Sequence, residues 1–290
     1  MTDHPTGAFA FRRPRLVGLA VAAAIALTGC AATTDNSAQR ESTPAAVSTS
    51  SFGEVAPSLF SQPEPVDLAR IVAEPDPRTI ITIVEDDGGT ATTEGSDEPI
   101  AALSQAKLFL AYWVLHHEPD DTDLVVDMIE NSDDSIADQL DAEYPTAIDD
   151  VIEAFGLDET AYSGYWGEVT TTTNDLAKFL HLIRDDEASK PLMYAMANVA
   201  PIAADGYRQS YGTALLPGVV GTKFGWSDDL AAHSSASFAN GYVIVAYTLG
   251  SADDLSEDVL GSVEITIAGS STAAEPTLGE TNTAESAISS

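Results

Sequence analysis

Apolar positions along this chain change their spacing several times, and each change marks an element. Residues 16–27 form an unbroken apolar run of twelve, shorter than a helix needs to cross the hydrocarbon core of a bilayer. Residues 31–56 are rich in Ala, Ser, Thr and Pro without apolar periodicity, which reads as a flexible tether. Alternation begins at 78–85 (RTIITIVE), breaks at Asp86-Asp87-Gly88-Gly89 and resumes at 90–93, predicting a β-hairpin. Ala106–His117 (AKLFLAYWVLHH) is apolar nearly all round, the pattern of a helix buried in a domain core. Shorter helices are predicted at 122–129, 135–140 and 146–155. Another covers 174–184, with capping residues at its start and a basic residue at its end, and a further one covers 191–199. Strand patterns return at 218–223, 231–238 and 242–249 (YVIVAYTL), and 254–266 reads as a terminal helix.

A hairpin, a block of helices, three strands and a helix make an α+β plan. Both ends of the domain supply one antiparallel sheet, and the helices form an insertion between them. The folded domain is expected at 64–269. Residues 270–290 return to Ser, Thr, Ala and Glu and read as a disordered acidic tail. No internal repeat is visible.

Charge and cysteine content narrow the function classes. Lys and Arg total 12 against 46 Asp and Glu, a formal net charge of −34. Such a field repels phosphate backbones, so nucleic acid is excluded as a partner. One cysteine rules out a disulfide framework and a cysteine-based zinc site. Arg12, Arg13 and Arg15 ahead of the apolar run form a basic leader, so residues 1–29 read as a signal peptide. The run ends Leu27-Thr28-Gly29-Cys30, which resembles a bacterial lipobox. That resemblance implies cleavage before Cys30, a diacylglycerol on its sulfur, and a lipid anchor on the outer face of the cell membrane. Residues 30–63 are then the lipidated cysteine and its tether. Arg12-Arg13 leaves a twin-arginine export route open beside the general secretory one, although Pro14-Arg15-Leu16 matches that signal poorly.

Three short motifs carry the chemistry. Ser104-Gln105-Ala106-Lys107 puts a hydroxyl and an amine three residues apart on one face of the buried helix, where a neutral lysine can take the serine proton. Ser132-Asp133-Asp134 lies at a helix junction, and Lys223-Phe224-Gly225 lies in a strand of the terminal sheet. In that order they resemble the Ser-x-x-Lys, Ser-Asp-Asn and Lys-Thr-Gly set of the penicillin-recognising serine hydrolases, meaning class A β-lactamases and penicillin-binding proteins. The resemblance runs over residues 78–267. It implies Ser104 as the acylated nucleophile, Lys107 as its general base and Ser132 as a proton relay to the leaving nitrogen. Lys223 would hold Ser132 and attract a substrate carboxylate. The backbone N–H groups of Ser104 and Trp226 would form the oxyanion hole. Asp134, Phe224, Gly225 and Trp226 then border the substrate. The implied substrates are β-lactams or D-Ala-D-Ala peptides of peptidoglycan, with no metal or cofactor.

The sequence also departs from that pattern. Asp134 stands where the family has an Asn, and an ionised carboxylate accepts hydrogen bonds without donating them. It also favours the ammonium form of Lys107. Phe224 replaces a threonine hydroxyl. The family's deacylating Glu has no clear match: the loop at 156–173 is short, and its Glu159 and Glu168 read as solvated carboxylates. The short separation of Lys107 from Ser132 implies a reduced helical insertion. His116 and His117 end the buried helix without partners at ligand spacing, and His233 leaves a Ser-His-Asp arrangement conceivable. The acidic run 118–121 reads as a solvated loop. Trp113 and Trp166 read as core, while Trp226 borders the proposed oxyanion hole. Two functions of different class follow. One is a lipid-anchored serine acyl hydrolase working through Ser104. The other is a catalytically degenerate lipoprotein that keeps the fold for binding or scaffolding in the cell envelope.

Overall fold

A computed structural model describes residues 66–267. Residues 1–29, expected as a signal peptide, Cys30 with the expected tether, and the tail expected at 270–290 lie outside the described residues. The chain begins with β1 (Val66–Ile71), the hairpin of β2 (Thr79–Glu85) and β3 (Thr90–Thr92), and the two-residue β4 (Ile100–Ala101). A single 3-10 turn, Leu103–Gln105, leads into α1 (Ala106–His117). The helical insertion continues with α2 (Thr122–Glu130), α3 (Asp134–Glu143) and α4 (Ala147–Phe155). After the short β5 (Thr170–Thr171) come α5 (Thr173–Ile183) and α6 (Lys190–Ala197). The chain then returns through β6 (Val219–Trp226), β7 (His233–Ala239), β8 (Tyr242–Thr248), α7 (Ala252–Ser262) and β9 (Val263–Ile267).

The main sheet has five antiparallel strands in the order β3-β2-β8-β7-β6, so its N-terminal hairpin and C-terminal meander meet along β2 and β8. Every residue of β8 is buried. Its alternation explains why: Val243 and Val245 face the helical core, while Tyr242, Ile244 and Ala246 face a second core closed by Leu255 and Val259 of α7. A strand covered on both faces reads as a continuous apolar run, which is the pattern of 242–249.

On the helical side, Leu108, Phe109, Leu110, Ala111 and Val114 of α1 have no exposed surface. Phe109 meets Phe179 of α5 edge-on at 4.9 Å between ring centres, and Phe155 of α4 meets the same ring at 5.0 Å. Burial of each such aromatic side chain stabilises by about 1.5–3 kcal/mol. The consequence is positional: α1 is held at the centre of the domain, and whatever its first turn carries is held with it.

The terminal helix differs from the sequence expectation. It starts earlier than 254, at Ala252 behind a capping box made by Ser251 and Asp254, and it stops at Ser262. Val263–Ile267 is a strand, β9, which pairs antiparallel with β1 in a separate two-stranded sheet. Its β-branched residues at 263, 265, 266 and 267 carry the strand signal, and a helix period laid across Gly261 hid it. The two-residue pairing of β4 with β5 was also not visible in the sequence. No helix among the described residues is long and apolar enough to cross a membrane.

Candidate active site

Ser104 sits in the 3-10 turn that starts α1, at the inner edge of β6. The residue before it, Leu103, has φ 54°, and Ser132 has φ 50°. These left-handed conformations cost side-chain-bearing residues of order 1–3 kcal/mol each and persist only where the surroundings over-determine them. One such constraint is Gln105, fully buried, whose Nε2 donates to the Lys223 carbonyl at 2.9 Å and to Ser234 Oγ at 3.1 Å. Gly225 supplies another. A Cβ there would lie 2.6 Å from Ser234 Oγ, 3.0 Å from Leu103 Cβ and 3.2 Å from the Ser104 nitrogen. Only glycine lets the edge strand come this close to the Ser104 turn.

This packing brings the four polar side chains of the motifs together. Lys107 Nζ donates to Ser104 Oγ at 3.1 Å and to the Ser132 carbonyl at 2.9 Å, and reaches Ser132 Oγ at 3.5 Å. Lys223 Nζ donates to Ser132 Oγ at 2.7 Å and to the Phe224 carbonyl at 2.8 Å. Both lysines are wholly buried. Lys107 also pairs with Asp134 Oδ1 at 2.5 Å. Burial holds Lys107 below the ordinary lysine range, and the hydrogen bond and charge of Asp134 pull it partly back. Burial pushes Lys223 well below that range, and the charge of Lys107 pushes the same way. Two buried amines, of which only Lys107 contacts a carboxylate, are costly to keep charged together, so burial favours a neutral amine beside two serine hydroxyls.

The Ser-Asp-Asp segment is built by the start of α3. Asp133 is the N-cap, accepting from the backbone of Ser135 and Ile136, which turns Ser132 inward and leaves Asp134 in the first helical turn. Further along the same helix, Asp138 Oδ1 accepts from Trp166 Nε1 at 2.7 Å. Asp141 accepts from Tyr162 Oη at 2.8 Å and from the Trp166 backbone at 3.0 Å. The loop before β5 is thereby fixed to α3. The Trp166 ring lies 4.6 Å from Lys107 Nζ, a cation–π contact.

Together these residues enclose a cleft of about 400 Å³ lined by Ser104, Asp134, Tyr165, Trp166, Asp205 and Trp226, with Leu103, Gly167, Ser227 and Asp228 at its edges. Ser104, Lys107, Ser132, Lys223, Asp134 and Trp226 thus meet at one place, and Gly225 acts as the spacer between strand and turn. Phe224 does not. Successive side chains of a strand point to opposite faces, and its ring is buried in the core against Tyr211, 4.9 Å between ring centres, so its assignment as a substrate contact is corrected. Lys223 has no exposed surface and stands behind Ser132.

Other candidates fall away from the cleft. His233 is buried, with Nδ1 at 2.7 Å from the Gly250 carbonyl and Nε2 at 2.7 Å from Tyr207 Oη. Burial draws it below the ordinary histidine range, and its Nδ1–H donates to the Gly250 carbonyl, which makes it a structural residue. His116 faces Asp186 at 3.0 Å. Trp113 donates to Asp150. Glu159 and Glu168 do not line the cleft, and Glu168 accepts from Ser163 on the exposed side of the loop. Among the described residues no group of three or more His, Cys, Asp or Glu is arranged to hold a metal ion. Sequence reasoning missed Gln105, Tyr165 and Asp205, while Trp166, read as core, is buried in the core and also lines the cleft. Gln105 sits inside the Ser-x-x-Lys motif at a position the motif leaves open, and the i, i+3 pair Asp138 and Asp141 was the available trace of the loop docking.

Folds of this kind are known among solved structures. The β-lactamase from Streptomyces albus G matches with 14% identity over 63% of this chain and 92% of that chain, at a TM-score of 0.50. A halotolerant bacterial β-lactamase matches with 16% identity over 63% and 93%, at a TM-score of 0.50. A β-lactamase from Chitinophaga pinensis matches with 15% identity over 62% and 89%, at a TM-score of 0.50. The chain therefore has a β-lactamase-like α+β fold. No family model and no curated protein matches the sequence.

Proposed function

We propose that this protein is a lipid-anchored serine acyl hydrolase of the cell envelope, related to β-lactamases and penicillin-binding proteins, that forms an acyl-enzyme at Ser104 with peptidoglycan peptides or β-lactams. The observation that carries this is the Lys107 Nζ to Ser104 Oγ hydrogen bond of 3.1 Å inside the network that continues to Ser132 and Lys223. In the step we propose, Ser104 Oγ attacks the carbonyl carbon and its proton passes to Lys107 in the neutral form. Collapse of the tetrahedral intermediate breaks the C–N bond. Ser132 hands its proton to the leaving nitrogen and is reprotonated from the lysines, so the product is an ester on Ser104. The N–H groups of Ser104 and Trp226 are the assigned oxyanion donors. Hydrolysis of the ester completes the cycle. We expect this step to be slow, because the family's deacylating Glu has no clear match and neither Glu159 nor Glu168 lines the cleft.

The Lys107–Asp134 contact of 2.5 Å favours a second reading. Kept as an ammonium, Lys107 takes no proton, and the protein is a non-catalytic envelope lipoprotein that binds or scaffolds. Intact mass after incubation with benzylpenicillin separates the two. A Ser104-dependent adduct, lost in Ser104→Ala, is the expected result, and no adduct at high penicillin concentration selects the second reading. The anchor rests on Leu27-Thr28-Gly29-Cys30 after the basic leader. Export and lipidation of Cys30 would place the domain on the outer face of the cell membrane. Metabolic labelling with palmitate, lost in Cys30→Ala, tests it.

A further inference from the structure

We infer that the cleft selects acyl substrates carrying an ammonium group near the scissile carbonyl, an inference that rests on the acyl-enzyme reading above. Three carboxylates line the cleft, Asp134, Asp205 and Asp228, and no lysine, arginine or histidine lines it among the described residues. All three are exposed. The lysines beneath have no exposed surface and direct their bonds to Ser104, Ser132, Asp134 and the Phe224 carbonyl, so they offer little to a charge above them. Arg208, near Asp205 in sequence, is taken by Asp253.

The acids are set among aromatic faces. Trp226 and Tyr207 rings lie 4.9 Å apart on one side, with the Trp226 indole donating to Asp205 at 2.9 Å. Tyr165 and Trp166 lie 5.6 Å apart on the other. A further hollow of about 320 Å³, lined by Asp205, Tyr207, Trp226 and Asp228, adjoins the cleft and leaves room for a substrate side group. Carboxylates beside aromatic faces are the chemistry that holds amines. The site already uses it once, since Lys107 is held between Asp134 and the Trp166 ring. A cleft lined by one sign of charge with low-dielectric walls also concentrates ligands of the opposite sign and repels its own.

Three penicillins with one nucleus test this, because they differ only in the side group: an α-ammonium in ampicillin, hydrogen in benzylpenicillin and an α-carboxylate in carbenicillin. Acylation of the purified full-length protein is followed by intact mass at low and high salt. The expected order is ampicillin, benzylpenicillin, carbenicillin, with an ampicillin-to-carbenicillin rate ratio of about tenfold at low salt. High salt and Asp228→Asn should each shrink that ratio. Equal rates for the three, with Ser104 labelled by each, overturn charge selection and leave the acyl-enzyme reading standing. No adduct with any of them overturns both.

Discussion

The floor and the wall of the cleft are built by different means. The floor, made by the first turn of α1, the Ser132 turn and β6, consists of buried hydroxyls and amines whose positions are set by two strained residues and by the close approach at Gly225. The wall, residues 162–168, is aromatic and is tied to α3 through Asp138 and Asp141. Floor residues can move protons, whereas the Trp166 ring that faces Lys107 cannot. On the proposed acyl-enzyme reading, the contrast predicts faster acylation than deacylation.

The largest effect belongs to the floor. Replacing Lys107 with Ala removes the group bonded to Ser104 Oγ and should lower the acylation rate by about 10²- to 10⁴-fold, the usual range for a lost general base. Rapid-quench mass spectrometry measures it, with circular dichroism to check folding. A loss of less than tenfold would move the base role to Lys223 acting through Ser132. Next comes the lifetime of the adduct. With no activating group on the wall, the acyl-enzyme should outlast its own formation by about a hundredfold or more after excess penicillin is removed. Rapid loss of the adduct would mean that one of the cleft carboxylates, Asp134 first among them, activates water, and the contrast between floor and wall would break.

Gly225 tests whether the floor depends on close approach. A methyl group there meets Ser234 Oγ and Leu103 Cβ first, so Gly225→Ala should shift the Ser104 turn and slow acylation by about tenfold or more. The fold should survive, because the contact lies at the edge of the sheet. Thermal melting and acylation measured on the same sample separate a displaced nucleophile from an unfolded one.

The floor was legible in the sequence because its chemistry is carried by short motifs on strongly patterned elements. An all-apolar helix such as α1 has one place to go, and Ser104 and Lys107 ride on it. Phe224 was misplaced because a motif fixes residue order and not the face of a strand. The wall was not legible. Loop residues acquire meaning from what they dock against, and neither Trp166 over Lys107 nor Asp205 on the Trp226 indole has a local signature. The short β1–β9 pairing failed for a related reason, since its partners lie almost 200 positions apart.

Asp134 joins the two regions, and its replacement sharpens the comparison through pH. Burial lowers Lys107, and Asp134 raises it through a hydrogen bond and through charge. Asp134→Asn removes the charge and leaves only a neutral oxygen to accept from the amine, so Lys107 should lose its proton at lower pH. The acid limb of the acylation profile should then move to lower pH, with the rate near neutrality rising by up to about tenfold for every pH unit the limb travels. The same sign governs stability. A lysine held below its unfolded value destabilises fully at low pH, and that penalty is relieved as pH rises from the folded value toward the unfolded one. An unchanged limb would mean that neither lysine sets the profile, since the charge of Asp134 raises Lys223 as well as Lys107.

The smallest expected change is on the wall. Trp166→Phe keeps an aromatic face toward Lys107, removes the Nε1 bond to Asp138 and trims the volume of a buried core ring. Asp138 is exposed and water replaces the lost donor, so the lost bond should cost about 1 kcal/mol and the smaller ring about 1–2 kcal/mol more. Chemical denaturation reads that cost, and the acylation rate should stay within about threefold because no proton-transfer partner has been touched. A larger loss of acylation than of stability would show that the indole also orients the substrate, and the wall would then share in the chemistry assigned above to the floor alone.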